Sequence, residues 1–317
     1  MPGHPPPEPA LATLCHDPFF EDGWLYERKL DGMRVLAERR GGTTTLWSRS
    51  GRDVTESFPE VAEAVTAGTD GDVVLDGEVV AFDGPRTSFE RLQPRIHARG
   101  AAAARASATP VFYYVFDVLS VAGDDLRRRP LTERKRRLRA AVRPGGALRM
   151  TPHRVRADAA VLGDACARGW EGLIAKRADS RYETGRTKAW LKFKCEAGQE
   201  LVIVGWTDPE GSRSGLGALL LGYHDRPGGD ALVYAGKVGT GFSETVLRDL
   251  RERLDALAVA SSPCTRGKLP TAGVHWVRPE LVAQLAFTEW TSAGQLRHPR
   301  FLGLRTDKDP ADVVREA

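Results

Sequence analysis

Glu27-Arg28-Lys29-Leu30-Asp31-Gly32-Met33-Arg34 closes one β-rich segment and opens the next. Asp31-Gly32 is a turn signal, and it presents Lys29 at a strand-to-turn position, where a pocket can open beside it. A lysine alone in such a place is a surface charge. The pattern Lys-x-Asp-Gly-x-Arg is more specific: in a chain of 317 residues it arises by chance with a probability on the order of 10⁻³ at average residue frequencies. Lysine is a covalent nucleophile only as the neutral amine. At the reference pKa of ~10.4, roughly 0.04% is neutral at pH 7, so the residue needs burial and neighbouring cations to bring that value down. Arg34, Lys176, Lys192 and Lys194 are the candidate cations. The same groups suit the phosphates of a nucleotide whose α-phosphorus the amine attacks.

Outward from Lys29, apolar, β-branched and aromatic runs predict strands at 24–30, 72–82 and 111–119. Helices are expected at 131–142 and 157–168, the second stopped by Gly169. The alanine-rich 101–106 reads as a surface connection. Beyond Gly198 the character changes to short strands at 201–206, 216–223 and 231–238 and one amphipathic helix, 243–257, capped by Ser243. Several short strands with one helix suit a small β-barrel such as the oligonucleotide-binding (OB) fold. No βαβ alternation or GxGxxG is present, so the larger part is expected to be α+β with antiparallel sheets. The expected organisation is a flexible Pro/Ala-rich arm over 1–20, an α+β domain over 21–197 and an OB-fold domain over 198–317.

Composition sets the bounds. A 41% hydrophobic, 28% charged chain with a mean hydropathy of -0.34 is globular rather than disordered. No run approaches the ~18 apolar residues of a spanning helix, and the Pro-rich N-terminus is unlike a secretory signal, so a cytoplasmic location is expected. Cys15, Cys166, Cys195 and Cys264 lie far apart with no CxxC, which argues against both a disulfide and a zinc site. The seven histidines show no HxxxH or HExxH spacing. The net charge of +4 announces no polyanion, but nine of the seventeen residues from Arg127 to Arg143 are basic. Such a run is a solvated helix face or a surface for nucleic-acid phosphates; Arg127, Arg128, Arg129, Arg134, Lys135, Arg136 and Arg137 are its candidates.

Further motifs follow Lys29 in order: Ser48-Arg49-Ser50-Gly51, Asp76-Gly77-Glu78, Phe116-Asp117, Glu171-Gly172-Leu173-Ile174-Ala175-Lys176, Trp190-Leu191-Lys192-Phe193-Lys194, and Leu296-Arg297-His298-Pro299-Arg300 running on to Arg305-Thr306-Asp307-Lys308. In this ordered set the chain resembles the covalent nucleotidyltransferases, and most closely the ATP-dependent DNA ligases of the bacterial end-joining and stand-alone types. The resemblance spans Trp24 to Lys308. It implies an ATP-grasp-like nucleotidyltransferase domain followed by an OB fold, with Lys29 the residue adenylated by ATP. It also implies that Glu27 reads the adenine edge and that Phe116 stacks on the base. Arg34 and Arg49 would contact ribose or a 5′-phosphate, Glu78 and Glu171 would supply carboxylates to ribose and metal, and Lys176, Lys192 and Lys194 would meet phosphate. Arg297, Arg300, Arg305, Asp307 and Lys308 would orient the departing pyrophosphate.

Taken on their own, Phe116 reads as core packing, Glu78 as a turn carboxylate, Glu171 as a strand start and Arg297 to Lys308 as a solvated basic tail. The ordered set outweighs these readings. The resemblance implies Mg²⁺ or Mn²⁺, held through carboxylates and phosphates, with no zinc. It implies a monomer acting on nicked duplex DNA in repair, recombination or replication, with end-joining or repair proteins as partners and no membrane. The 23 residues before Trp24 are too few for a separate DNA-binding domain, which makes the basic run a substitute DNA surface. The alternatives are an RNA ligase or mRNA-capping-type nucleotidyltransferase, and a non-catalytic nucleic-acid-binding OB protein.

Overall fold

A computed structural model describes residues 8–15, 17–98, 100–195, 197–209, 215–287 and 289–316. The chain divides into two compact units, Met1–Cys195 and Glu196–Ala317.

Among the described residues the first unit is built on two large sheets, beside a two-stranded ribbon of Phe82–Asp83 and Arg86–Thr87. The strands β1 (Ala10–Leu14), β2 (Trp24–Arg28), β3 (Met33–Arg40), β4 (Thr43–Ser48) and β5 (Val73–Val80) are followed by β6 (Phe112–Val121), β7 (Leu148–Met150), β8 (His153–Arg154), β9 (Gly172–Arg177) and β10 (Gly185–Lys194). One sheet runs β1-β10-β9-β2-β8, the other β7-β6-β5-β3-β4. Helices α1 (Pro59–Gly68), α2 (Phe89–Ile96), α3 (Ala101–Ala106), α4 (Leu131–Ala141) and α5 (Ala159–Ala167) accompany them.

Period-two alternation sorts the strands' faces. In the second sheet Met33, Val35, Ala37, Leu75, Val79, Tyr113 and Val115 enter the main core with Val61 and Val65 of α1 and Phe89 and Leu92 of α2. The other face carries Arg34, Leu36, Asp76, Glu78 and Phe116. Gly77 cannot carry a side chain toward that core, because a Cβ would lie 2.4 Å from the Tyr113 ring. In the first sheet Tyr26, Leu173, Ala175 and Phe193 turn toward α5, which leaves Glu27, Ile174, Lys176, Trp190, Lys192 and Lys194 on the opposite face. A small cluster of Ala10, Leu36, Phe116, Tyr182 and Trp190 joins the two sheets.

The second unit is built on β11 (Ala197–Thr207), β12 (Leu219–His224), β13 (Leu232–Val238), β14 (Val274–Phe287) and β15 (Arg300–Leu304), with β13-β12-β11-β14 antiparallel and β15 paired to β14. Its helix α6 (Glu244–Asp255) is capped by the Ser243 side chain, which accepts from the Val246 N–H, and buries Leu247, Leu250 and Leu254.

Three expectations are corrected. Residues 10–14 of the expected arm form a strand paired parallel with β10. The stretch 101–106 is a helix, as alanine's propensity favours. Cys166 and Cys195 form a disulfide with a Cα separation of 5.2 Å; the fold brings the end of α5 against the end of β10, a proximity that a sequence separation of 29 conceals. Among the described residues no helix is long and apolar enough to cross a membrane.

Candidate active site

Lys29 follows β2 and is anchored by its own backbone, whose N–H donates to Gly172 O at 2.9 Å. Gly172 lies at φ +138°, and a Cβ there would fall 1.9 Å from Phe193 O, so only glycine lets β9 start this close to β10. That close start sets Glu171 beside the lysine: Lys29 Nζ lies 2.5 Å from Glu171 Oε1, with the two side chains 18% and 30% exposed. Gly32 is equally constrained, since a Cβ would meet Val79 O at 2.3 Å. Asp31 fixes the turn, its N–H donating to Thr87 Oγ1 (3.0 Å) and its carboxylate accepting from Phe89 N–H (3.0 Å) at the start of α2.

These neighbours correct the expected electrostatics of the amine. Burial pulls the Lys29 pKa down, but Glu171, reinforced by Glu78 and Asp31, raises it above the ordinary lysine value. Two of the four cations expected to lower it, Arg34 and Lys176, are engaged with other carboxylates. Arg34 grips Asp76 through Nε (2.5 Å) and Nη2 (2.7 Å) and donates to Ala10 O (3.1 Å), and Asp76 keeps it firmly protonated against burial. Lys176 Nζ lies 2.8 Å from Glu27 Oε2.

Glu27 is 2% exposed, with Lys135 of α4 on its other oxygen. Burial pushes its pKa up, but the two lysines outweigh it and hold the carboxyl below the usual range. Lys176 sits 4.0 Å from the Phe116 ring centre and 3.9 Å from that of Trp190. Burial, helped by Lys135 and opposed by Glu27, lowers its pKa to about 8. Phe116 occupies a bulge of β6 against β5. Its ring is buried beneath Lys176, Arg34 (4.6 Å) and an edge-on Trp190 (6.0 Å).

The remaining candidates of this unit are half-buried. Glu78 pairs in register with Arg34 and with Tyr114, Lys192 with Ile174, and Lys194 with Gly172. Arg49 stands in the turn after β4.

A cavity of about 350 Å³ opens at the β2 edge and includes Glu27, Arg28, Tyr114, Thr151, Pro152 and Trp170 in its lining. Glu27 is the one sequence-predicted site residue on it. Tyr114, two positions before Phe116, stands in its wall, and Trp170 lies beneath the Arg28 guanidinium at 4.5 Å. Tyr114 could have been found from its alternation with Phe116, and Trp170 from its place beside Glu171. No local signal marked Thr151, and the basic run marked Lys135 only as a surface charge.

The basic run divides. Arg134 and Lys135 are corrected: both are buried, Arg134 making a two-pronged pair with Asp117 (2.9 and 2.8 Å) and Lys135 meeting Glu27. Amphipathic α4 turns these two charges inward onto acids of the sheets. Arg127 pairs with Asp125 and Arg137 with Asp124, while Arg128, Arg129 and Arg136 are exposed. In the second unit Arg305 holds buried Asp307 at 2.8 Å and Lys308 lies 3.1 Å from Glu200. Burial would raise the Asp307 pKa, but Arg305 keeps it low. Arg297 and Arg300 are exposed.

Comparison with known proteins shows the family. Residues 9–194 match the family model "ATP dependent DNA ligase domain", and residues 212–308 match "ATP dependent DNA ligase C terminal region". The multifunctional non-homologous end joining protein LigD of Pseudomonas aeruginosa is 38% identical over 314 residues, covering 97% of this chain and 36% of that protein. The LigD of Mycobacterium tuberculosis is 40% identical over 301 residues, covering 92% and 37% respectively. The chain thus spans little more than a third of the length of these relatives. A solved structure, mycobacterial DNA ligase D complexed with ATP and MES, is 36% identical, with a TM-score of 0.66 over 98% of each chain.

Proposed function

The chain belongs to the ATP-dependent DNA ligases, and from that premise we propose that it seals nicks in duplex DNA through a lysyl-AMP formed on Lys29. The observation that carries this reading is the placing of a partly buried lysine on Glu171, next to a cavity with the dimensions of a base pocket.

Lys29 Nζ, once deprotonated, attacks the α-phosphorus of ATP; a nitrogen–phosphorus bond forms and pyrophosphate leaves. Glu171 Oε1 orients the amine and is the nearest acceptor for the proton it gives up. An oxygen of a DNA 5′-phosphate then displaces the lysine from AMP, and the 3′-hydroxyl displaces AMP to close the backbone. Glu27, with both oxygens held by lysines, fixes the cavity wall, while Lys192 and Lys194 serve phosphate. Glu78 and Glu171 are the carboxylates suited to Mg²⁺ or Mn²⁺, which prefers one or two of them together with nucleotide phosphates and water. The ion supplies neutralisation of phosphate charge. Exposed Arg297 and Arg300 in the second unit are assigned to phosphate binding. The work is that of an end-joining or repair ligase, acting as a monomer in the cytoplasm.

The test is incubation with α-labelled ATP and Mg²⁺, then with a nicked duplex. The expected result is a labelled protein that Lys29→Ala abolishes, with the label passing to DNA and leaving as AMP when the nick is sealed. A label that persists in Lys29→Ala overturns the assignment, and labelling without sealing overturns the DNA ligase activity.

A further inference from the structure

The first sheet comes apart at Pro152. The β8–β2 ladder pairs Arg154 with Tyr26 and His153 with Glu27, so the same register carries Pro152 opposite Arg28. Peptide groups alternate sides along a strand. Lys29 spends its N–H on Gly172 in β9, so the N–H and C=O of Arg28 face the other way, toward Pro152. Proline has no N–H to offer that carbonyl, and the ladder ends at Glu27. Glu27, Arg28 and Pro152 all line the cavity.

Thr151 stands on its rim. The residue is 6% exposed and lines the cavity, and its Oγ1 is buried with no hydrogen-bond partner among the described residues. Its backbone N–H donates to Val115 O at 2.9 Å, which ties its position to β6. Buried hydroxyls are matched by protein, water or ligand, and here none of the described residues supplies a match. Glu27 is ion-paired to Lys135 and Lys176 and is itself 2% exposed.

We propose that Thr151 is a specificity-determining residue for the nucleotide base, its hydroxyl accepting a hydrogen bond from the exocyclic 6-amino group of a purine lying along the Arg28 peptide. This rests on the reading of the cavity as the base pocket of an ATP-using ligase. Tyr114 and Trp170 give the same cavity aromatic walls, and the open peptide edge with Thr151 gives it polar contacts. That combination suits a flat heterocycle.

The experiment is single-turnover formation of the labelled Lys29 adduct, using ATP and purine-riboside triphosphate, which lacks the 6-amino group. Thr151→Val removes the hydroxyl at nearly constant shape, and Thr151→Ser retains it. Thr151→Val is expected to need about five- to tenfold more ATP for half-maximal rate at an unchanged maximum, the scale of one hydrogen bond. It should match the wild type with the 6-H analogue, while Thr151→Ser behaves as wild type with both. An unchanged ATP requirement in Thr151→Val, or an equal loss with both nucleotides, overturns the proposal while leaving the ligase reading intact. Wild-type protein that forms no adduct with ATP overturns the ligase reading itself. If Thr151→Val does not fold, ATP against the 6-H analogue on wild type and Thr151→Ser decides: a shared preference for ATP supports the hydroxyl, and its absence overturns it.

Discussion

Lys29 Nζ and Glu171 Oε1 stand 2.5 Å apart, so the amine that must become neutral is held by a carboxylate that favours its charged form. The resting amine is largely charged at neutral pH, and the neutral fraction grows as pH rises. Adduct formation by the wild type is therefore expected to climb with pH from neutrality upward. Glu171→Gln keeps the burial and removes the opposing charge, so the Lys29 pKa falls. At pH 8 a general amine-acylating reagent should modify Lys29 severalfold faster in that variant, read by peptide mass spectrometry. Equal rates would contradict the pairing.

The Lys176 pKa is shifted in the opposite direction. Its pKa is lowered to about 8 by burial with Lys135 nearby, so the wild type loses this positive charge as pH passes upward through 8. ATP binding, measured by fluorescence or calorimetry, should weaken over that interval. Lys176→Arg stays charged and should flatten the decline. A decline of equal steepness in the variant shows that the Lys176 charge does not govern ATP binding.

The basic run 127–143 separates into charges that hold the fold and charges that can meet DNA. Arg134 and Asp117 are both 0% exposed. Arg134→Met leaves the carboxylate buried alone and is expected to cost about 3–5 kcal/mol of stability, read as a lowered denaturation midpoint. Reversing exposed Arg128, Arg129 and Arg136 should leave stability nearly unchanged and weaken nick binding. The salt dependence of binding should become shallower by about 0.9 in log–log slope for each DNA phosphate that the variant no longer neutralises. An unchanged slope rejects this face as the DNA surface.

The Cys166–Cys195 bond closes a loop that contains Glu171, Lys176, Lys192 and Lys194. In the chain-entropy view, cross-linking a loop of this length contributes about 3.5 kcal/mol. Non-reducing digestion should recover the linked peptide pair, and reductant should lower the thermal midpoint of the wild type while sparing Cys166→Ser/Cys195→Ser. Equal midpoints with and without reductant would show that the bond adds no stability.

Local chemistry was readable from the residues themselves. The Asp31-Gly32 turn, the Ser243 cap and the alternation that puts Trp190, Lys192 and Lys194 on one face are each decided within a few positions. Long-range partners were not. Lys135 looked like part of a solvated run because Glu27, 108 positions away, is invisible to charge patterning. Lys29 drew carboxylates where cations were expected, since the close start at Gly172 is fixed by three-dimensional approach. The strand over 10–14 is hidden by Pro-rich flanks, its pairing with β10 lying about 175 residues downstream.

That first strand has a practical consequence for anyone editing the gene. Ala10 gives its N–H a place on the Tyr182 hydroxyl and its carbonyl to Arg34, and Tyr182 and Arg34 meet again on Asp76. Side chains swap faces with each one-residue step along a strand, so deleting a single residue between Ala10 and Leu14 would turn the whole segment over. Sequence tags joined ahead of Glu8 leave that alignment untouched, whereas a trim of two or three codons inside it would loosen the clamp around Arg34 from a distance.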